Sequence, residues 1–300
     1  MAYSELKNWL AADKVLENEP LKNHTTFHIG GPADCLVLPA TPDDVALTLR
    51  YSRDRNAPLF FFGLGSNLLV GDKGIRGITI KMGGRFTGWE IRKNVLEARA
   101  GTALNICAEA AARNALGGME FAEGIPGSVA GAVFMNAGAY GREMKDVVEE
   151  AEAVDGDGNR KIYTKEEMDF SYRRSCFTAS GDLILRVKIR LYNENPRMIR
   201  ERMKELAQLR QNRQPLGYPS AGSVFRRPAG YFTGKLLEEM GLKGYRVGGA
   251  QVSEKHAGFI INTGGATAAD VRKLIADIKA KVMEERGVEL ETEIKMAGEF

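Results

Sequence analysis

The chain is poor in the residues that build disulfide scaffolds, metal centres and membrane spans. Its 300 residues include three cysteines, Cys35, Cys107 and Cys176, far apart and without a Cys-x-x-Cys spacing. An odd, scattered set of thiols excludes a disulfide framework and points to free thiols in a reducing compartment. There are only three histidines. His24 and His28 stand four apart, as a helical zinc pair would. The residues between them, Thr25, Thr26 and Phe27, favour a strand, and no third ligand is near, so no metal is expected. The longest aliphatic and aromatic run, Pro58-Leu-Phe-Phe-Phe62, falls far short of a membrane span. Charge of one sign is also lacking: 42 basic residues face 39 acidic ones, a net of +3. That balance gives no reason to expect a nucleic-acid partner, although it permits a local basic pocket. The opening MAYSELKNWLAADKVLENEP is charged throughout and lacks the apolar stretch of a signal peptide. Together these absences predict a cytoplasmic protein with no nucleic-acid partner and no membrane insertion. Repeats and low-complexity tracts are missing too.

What is present is an ordinary globular composition, 44% apolar and 27% charged, long enough for two or three domains. Residues 4–17 read as a helix and Ala33–Leu38 as a strand. Thr41-Pro-Asp-Asp44 opens a helix with a cap residue, a proline in its first turn and two acids. Pro58–Phe62, continuously apolar, reads as a strand buried on both faces, and Ile75–Met82 as another strand. Residues 1–85 are therefore a first α/β unit. Residues 86–195 make a second. It holds a strand pair over Trp89–Arg99, an alanine-rich helix over Thr102–Ala115, and a hairpin turning at Asp155-Gly-Asp-Gly158. A half-buried strand follows, in which Leu183, Leu185, Val187, Ile189 and Leu191 alternate with basic residues. Asn195-Pro196 marks a boundary, and residues 196–300 form a third, α+β part. There Thr267 and Asp270 resemble a capping box for a helix ending at Gly287, and Val288–Lys295 reads as a last strand with one acidic face.

Two glycine-rich stretches stand out. One is Gly63-Leu-Gly-Ser-Asn67, directly after an apolar strand. The other is Gly124-Ile-Pro-Gly-Ser-Val-Ala-Gly131, continuing through Met135-Asn-Ala-Gly-Ala-Tyr-Gly141 without a single charge. Glycine allows close backbone approach and positive φ, and successive N–H groups in such turns form an anion nest. A helix starting at Gly127-Ser128 would add the positive end of its dipole. Such segments suit a pyrophosphate. They equally suit two tight turns with close helix packing, and the residues alone leave both readings open. No dinucleotide fingerprint is completed, since Leu68 stands where its third glycine belongs, and no P-loop occurs.

Taken in order, His24-Thr-Thr-Phe27, Gly63–Asn67, Gly124–Gly131, Met135–Gly141, Tyr172-Arg173, Ala221-Gly-Ser-Val-Phe225 and Leu290-Glu-Thr-Glu293 resemble the UDP-N-acetylenolpyruvoylglucosamine reductase family from about residue 20 to the C-terminus. The resemblance implies an α+β protein in which an FAD-binding module of the vanillyl-alcohol-oxidase type, in two subdomains, precedes a C-terminal substrate domain. It implies non-covalent FAD, NADPH as hydride donor and a UDP-sugar substrate. The cofactor would meet Gly63, Leu64, Gly65, Ser66, Asn67, Pro126, Gly127, Ser128, Gly131, Asn136, Ala137 and Gly138. Space beside Gly65 and Gly131 would then belong to FAD. Tyr140, Tyr172, Arg213 and Arg226 would face substrate, with Lys235 adding positive charge.

The family reaction reduces an enolpyruvyl ether to a lactyl ether. Hydride reaches the vinyl carbon, negative charge builds beside the carboxylate, and a proton completes the product. The resemblance assigns Arg173 to the carboxylate, Glu293 to the developing acid and Ser223 to the proton. Read without it, Arg173 and Arg174 are polar surface residues, and Glu293 shares a face with Glu289 and Glu291. The run from Arg173 to Ser223 leaves no room for a long tyrosine-bearing insertion, so the chain resembles the shorter type usual in Gram-positive bacteria. Alternatives are an FAD-dependent oxidase of the same module and a non-catalytic sugar-nucleotide-binding protein.

Overall fold

Thr41 begins the first long helix as its sequence demands. Its side chain accepts from the Asp44 N–H at 3.2 Å, and the Asp44 carboxylate accepts from the Thr41 N–H at 3.0 Å. The helix Pro42–Asp54 buries Val45, Thr48, Leu49 and Ser52. In this computed structural model, which describes residues 3–300, the fold is α+β. A four-stranded sheet runs in the order Val15–Pro20, Pro32–Val37, Ile75–Lys81, Leu59–Phe62, and its last pair is parallel.

The chain divides into two compact units. The first takes the chain up to Glu17, Cys35–Leu64 and Gly77–Arg210; the second takes Asn18–Asp34, Gly65–Arg76 and Gln211–Phe300. The segments expected from chain order, 1–85, 86–195 and 196–300, are contiguous, whereas these units are not. The helix Pro196–Arg213 explains the later C-terminal division. Its Ile199 and Met203 are buried in the first unit's core, beside Phe121, Met144 and Leu191.

The first unit has two cores. One gathers Leu6, Leu10, Val37, Val45, Leu49, Ile78, Ile80 and Phe86. The other lies against a five-stranded antiparallel sheet, ordered Arg160–Thr164, Val148–Val154, Leu183–Arg190, Val95–Arg99, Trp89–Arg92. Val187 and Ile189 point inward with Leu104, Cys107 and Val133. The alternation read from the sequence holds, and its polar face is paired: Lys188 meets Glu150 at 2.8 Å and Arg190 meets Glu149 at 2.6 Å.

The second unit carries an antiparallel sheet in the order Ser220–Ser223, Phe259–Asn262, Ala250–Val252, Arg246–Val247. The helix Ala268–Arg286 buries Val271, Leu274, Ile275, Ile278 and Val282. Its capping box is present, and Gly287 ends it at φ 63°. Asp72 supplies a second cap, accepting from Ala268 and Ala269 at 2.7 and 2.9 Å.

Three elements differ from expectation. Residues 4–17 form two 3₁₀ turns, Ser4–Asn8 and Ala12–Lys14, and then enter the strand Val15–Pro20, because strand pairing overrides a weak local helix preference. Leu59–Phe62 is half-buried throughout rather than buried on both faces, because it is an edge strand with one neighbour. Val288–Lys295 is largely irregular; the regular strand is Lys295–Ala297, parallel to Leu68–Val70.

Candidate active site

In the first unit, the two glycine-rich stretches meet. A β-carbon on Gly63 would collide with the Ser128 hydroxyl. That hydroxyl is spoken for: Ser128 caps the short helix Val129–Phe134, accepting from the Gly131 N–H at 3.2 Å. The Val129 N–H bonds the Thr102 carbonyl at 2.8 Å, and the Ala130 N–H bonds the Ala100 carbonyl at 3.2 Å. These contacts correct the picture of a helix start offering its N–H groups to a pyrophosphate, since its first three donors are consumed inside the protein. Gly127 sits at φ 133° with its carbonyl accepting from Leu104 at 2.9 Å, and Pro126 is exposed.

Whether FAD fits can be read from what a side chain would displace. Outside its own helix, a β-carbon on Gly131 would have one neighbour within 4 Å, the Ser128 Oγ at 3.3 Å. That one neighbour is the end of a side chain and no backbone closes on the position, so its bare face suits a bulky flat group. Ala130, Phe134, Ala137 and Gly138, nearby in the chain, are half-buried, as are Phe60, Phe61, Phe62 and Leu64. The residues present fit the cofactor that the resemblance implies. Gly138 is different, since the strand pair Gly138–Ala139 with Arg142–Glu143 packs onto it.

That strand pair turns through Tyr140 and Gly141, at φ 55° and 83°. Two positive φ values define the tight hairpin turn that favours Asn or Gly. Tyrosine there costs on the order of 1 kcal/mol. Its hydroxyl donates to the Leu206 carbonyl at 3.3 Å, and the Arg210 guanidinium lies 5.8 Å from its ring centre. A second tight turn carries Tyr172 and Arg173. Ser171 and Arg174 exchange both backbone hydrogen bonds, at 3.0 and 3.2 Å, and Arg173 takes φ 57°. The Arg173 guanidinium lies 5.0 Å from the Tyr172 ring centre. Arg173 is half-buried and Arg174 exposed, which separates neighbours that the sequence could not tell apart.

Asn136, at φ 43°, is wholly buried. Its Nδ2 donates to the Ser171 carbonyl and to Glu143 Oε2, both at 3.0 Å, and its Oδ1 accepts from the Lys145 N–H at 3.0 Å. The side-chain amide is thereby spent within the protein, as is the backbone N–H, which donates to the Val133 carbonyl at 3.1 Å.

In the second unit, Thr26 ties Gly65 to a strand. The Thr26 N–H donates to the Gly65 carbonyl at 3.2 Å, its hydroxyl to the Ser220 carbonyl at 2.7 Å, and Ser220 returns an N–H to Thr26 at 3.1 Å. Gly65, at φ 67°, has no room for a side chain, because the His24 carbonyl and Thr25 Cα would lie 2.5 and 2.9 Å from its β-carbon. This glycine is demanded by packing, which corrects the expectation that the space beside it belongs to FAD. Asn67 Nδ2 donates to the Glu293 carbonyl at 3.3 Å, and the Glu293 N–H donates to the Val224 carbonyl at 2.7 Å.

These bonds bring Glu293 beside the strand that ends in Ser223. A register shift between Ser220 and Ser223, with Gly222 at φ 79°, leaves Ser223 exposed at the sheet edge. Glu293 is half-buried whereas Glu289 and Glu291 are exposed, so the shared acidic face expected of a regular strand does not form. Arg226 pairs with Glu291 at 3.1 Å. Arg213 is exposed at the end of its helix. Ser66 is half-buried. His24 Nε2 meets Glu19 at 2.8 Å, and no group of three His, Cys, Asp or Glu among the described residues is placed to hold a metal.

Sequence reasoning overlooked Arg210. It is 6% exposed and follows Ile199, Met203 and Leu206 along the buried stripe of its helix. Burial pushes its guanidinium below the ordinary value. A basic residue at a stripe position was the available signal.

A family model of the C-terminal domain of UDP-N-acetylenolpyruvoylglucosamine reductase matches residues 214–297, and a FAD binding domain model matches residues 33–162. The chain is 51% identical to the UDP-N-acetylenolpyruvoylglucosamine reductase of Syntrophomonas wolfei over 99% of both chains. It is 49% identical to that of Caldanaerobacter subterraneus, over 98% of this chain and 97% of the relative. The crystal structure of the Thermus caldophilus reductase superposes with a TM-score of 0.81 at 36% identity, covering 94% of this chain and 98% of the other. The chain belongs to the UDP-N-acetylenolpyruvoylglucosamine reductase family.

Proposed function

We propose that the chain is an NADPH-dependent flavoenzyme that reduces the enolpyruvyl ether of UDP-N-acetylglucosamine enolpyruvate to the lactyl ether of UDP-N-acetylmuramate, a step in making peptidoglycan precursors. Its identity of 51% to a named reductase over 99% of the chain supports the activity. The observation that supports the chemistry is that the Glu293 backbone bonds both the Asn67 side chain and the carbonyl of Val224, the residue after Ser223.

FAD, held by the glycine-rich segments, would supply the hydride chemistry that links NADPH to the vinyl carbon. The protein must hold the charge that then develops. Arg173 presents an always-charged planar fork to the substrate carboxylate, the geometry a carboxylate prefers. Glu293 steadies the developing acid. Ser223, exposed at the sheet edge, gives its hydroxyl proton to the carbon beside the carboxylate. Tyr140, Tyr172, Arg213 and Arg226 contribute to holding the UDP-sugar, and the remaining glycine-loop and helix residues hold FAD. Among the described residues no helix is long and apolar enough to cross a membrane. The proposed place of action is the cytoplasm, on a soluble sugar nucleotide, without a nucleic-acid partner.

The test is spectroscopic. Purified protein should be yellow, should release all its flavin on denaturation, should bleach with NADPH, and should regain colour anaerobically when the enolpyruvyl sugar nucleotide is added. Flavin retained in the denatured pellet, or colour regained with a simple alcohol's carbonyl product instead, would favour an oxidase-like enzyme. Sugar-nucleotide binding by a colourless protein would reduce it to a binder.

A further inference from the structure

The two turns that carry Tyr140 and Arg173 are both held from one point. Each has a non-glycine residue at positive φ, Tyr140 at 55° and Arg173 at 57°. Such turns relax unless the surroundings fix them. The turn Ser171–Arg174 closes on itself through two backbone bonds. Two side-chain bonds tie it to the rest of the unit: Ser175 donates to the Phe134 carbonyl at 2.9 Å, and Asn136 donates to the Ser171 carbonyl at 3.0 Å. The second Nδ2 hydrogen of Asn136 goes to Glu143, whose residue pairs with Gly138 in the hairpin below Tyr140. Lys145 also holds that carboxylate, at 2.8 Å.

We propose that Asn136 is a positioning residue for the reduction, with its buried amide pinning the Arg173 turn to the Tyr140 hairpin. The proposal rests on the reading of Arg173 as the carboxylate-binding residue. The chemistry of the amide explains why asparagine serves. It offers two N–H donors that diverge in one plane, one for each turn, and an oxygen that takes the Lys145 N–H. Aspartate keeps the shape and the acceptor but has no donors. Serine has one donor and a shorter reach. A displacement of about 1 Å in a group that grips the substrate is enough to lower a rate about 10²-fold.

Asn136→Ala should therefore keep its flavin and bleach with NADPH at the parent rate, yet regain colour about 10²-fold more slowly with the enolpyruvyl substrate. In an Arg173→Ala background the same change should slow colour return far less, since the arginine it positions is gone and only the Tyr140 hairpin is still affected. Amide exchange at Arg174, whose N–H shares the Ser171 carbonyl with Asn136, should speed up. Should Asn136→Ala fail to purify folded, Asn136→Asp carries the same three expectations. Parent-like colour return in a folded variant, or slowing that persists in full without Arg173, overturns the proposal. Flavin loss with unchanged Arg174 exchange also overturns it, placing the amide at the cofactor. If Arg173→Ala itself regains colour at the parent rate, the reading of Arg173 fails, and Arg174 exchange alone then decides whether Asn136 pins the turn.

Discussion

Gly63 packs its bare Cα against the hydroxyl of Ser128, in the space a β-carbon would need. The two positions are coupled through a group that also caps a helix. Ser128→Ala alone removes the cap on Gly131 and should cost about 1 kcal/mol. Gly63→Ala alone forces the hydroxyl out and should cost more. Together they should cost less than their sum, because the alanine at 128 takes away the clashing oxygen, leaving a Cβ approach of 3.3 Å. Thermal melts of the four proteins in this cycle measure the coupling, and strict additivity would mean that the two stretches do not touch.

Gly131 and Gly65 should part company. Outside its own helix, a β-carbon at Gly131 meets only the Ser128 Oγ at 3.3 Å, so Gly131→Val should fold with a modestly lowered melting temperature and lose most of its flavin. Gly65→Val meets the His24 carbonyl at 2.5 Å in a backbone conformation of φ 67°, so it should lose stability whether or not flavin is present. Flavin absorbance per protein and a melt without flavin separate the two outcomes. Full flavin content in Gly131→Val would remove the cofactor from that face.

Much of this fold was legible in local chemistry. The cap at Thr41, the capping box at Thr267 and the alternation from Leu183 to Arg190 formed as written, because each is set by residues within one turn or one strand. Local reading failed where partners are distant. Val15–Pro20 is a strand because Pro32–Val37 lies beside it, and Glu293 leaves the face of Glu291 because Val224 and Asn67 hold its backbone. The site motifs were recognisable only jointly. No local rule shows that the Asn136 amide reaches Ser171, thirty-five residues on, or that Arg173 and not Arg174 sits at the turn's positive φ.

The pair Arg173 and Arg174 gives a direct comparison. Arg173→Lys keeps the charge but loses the planar fork, and should slow colour return with substrate while leaving bleaching by NADPH nearly unchanged. Arg174→Lys changes an exposed side chain and should leave both phases near the parent's. Stopped-flow traces of the two half-reactions check this, and equal damage from both variants would assign the wrong arginine to the carboxylate.

Acid should reveal the contact between the helices Leu104–Arg113 and Pro196–Arg213. Glu109 pairs with Arg200 and, at 2.6 Å, with Arg113, and these arginines lower its carboxyl from 4.5 to about 2. A depressed folded-state value means that the pairing stabilises above pH 4.5 and is lost as pH falls through about 2. The groups are solvent-exposed, so the effect is modest and screened by salt. The melting-temperature difference between parent and Glu109→Gln should be present at pH 7 and should close between pH 4.5 and 2. A difference that stays constant across that window would mean that the pairing contributes nothing.

Ser223 should act only after hydride has left the flavin. It ends an edge strand whose register slips at Gly222, and the slip leaves its hydroxyl exposed while Val224, the next residue, is buried and bonded to Glu293. A serine is a weak acid, so its use depends on a carbon that has just gained negative charge and on positioning that excludes other donors. Loss of a positioned general acid typically slows its step about 10²–10⁴-fold. Ser223→Ala should therefore bind FAD, bleach with NADPH near the parent rate, and stay bleached when the enolpyruvyl substrate is added anaerobically. Ser223→Cys should recover part of the rate, because a thiol also surrenders a proton. A Ser223→Ala trace that regains colour as fast as the parent removes this residue from the chemistry, and one in which NADPH bleaching is the slow phase assigns it to positioning at the flavin.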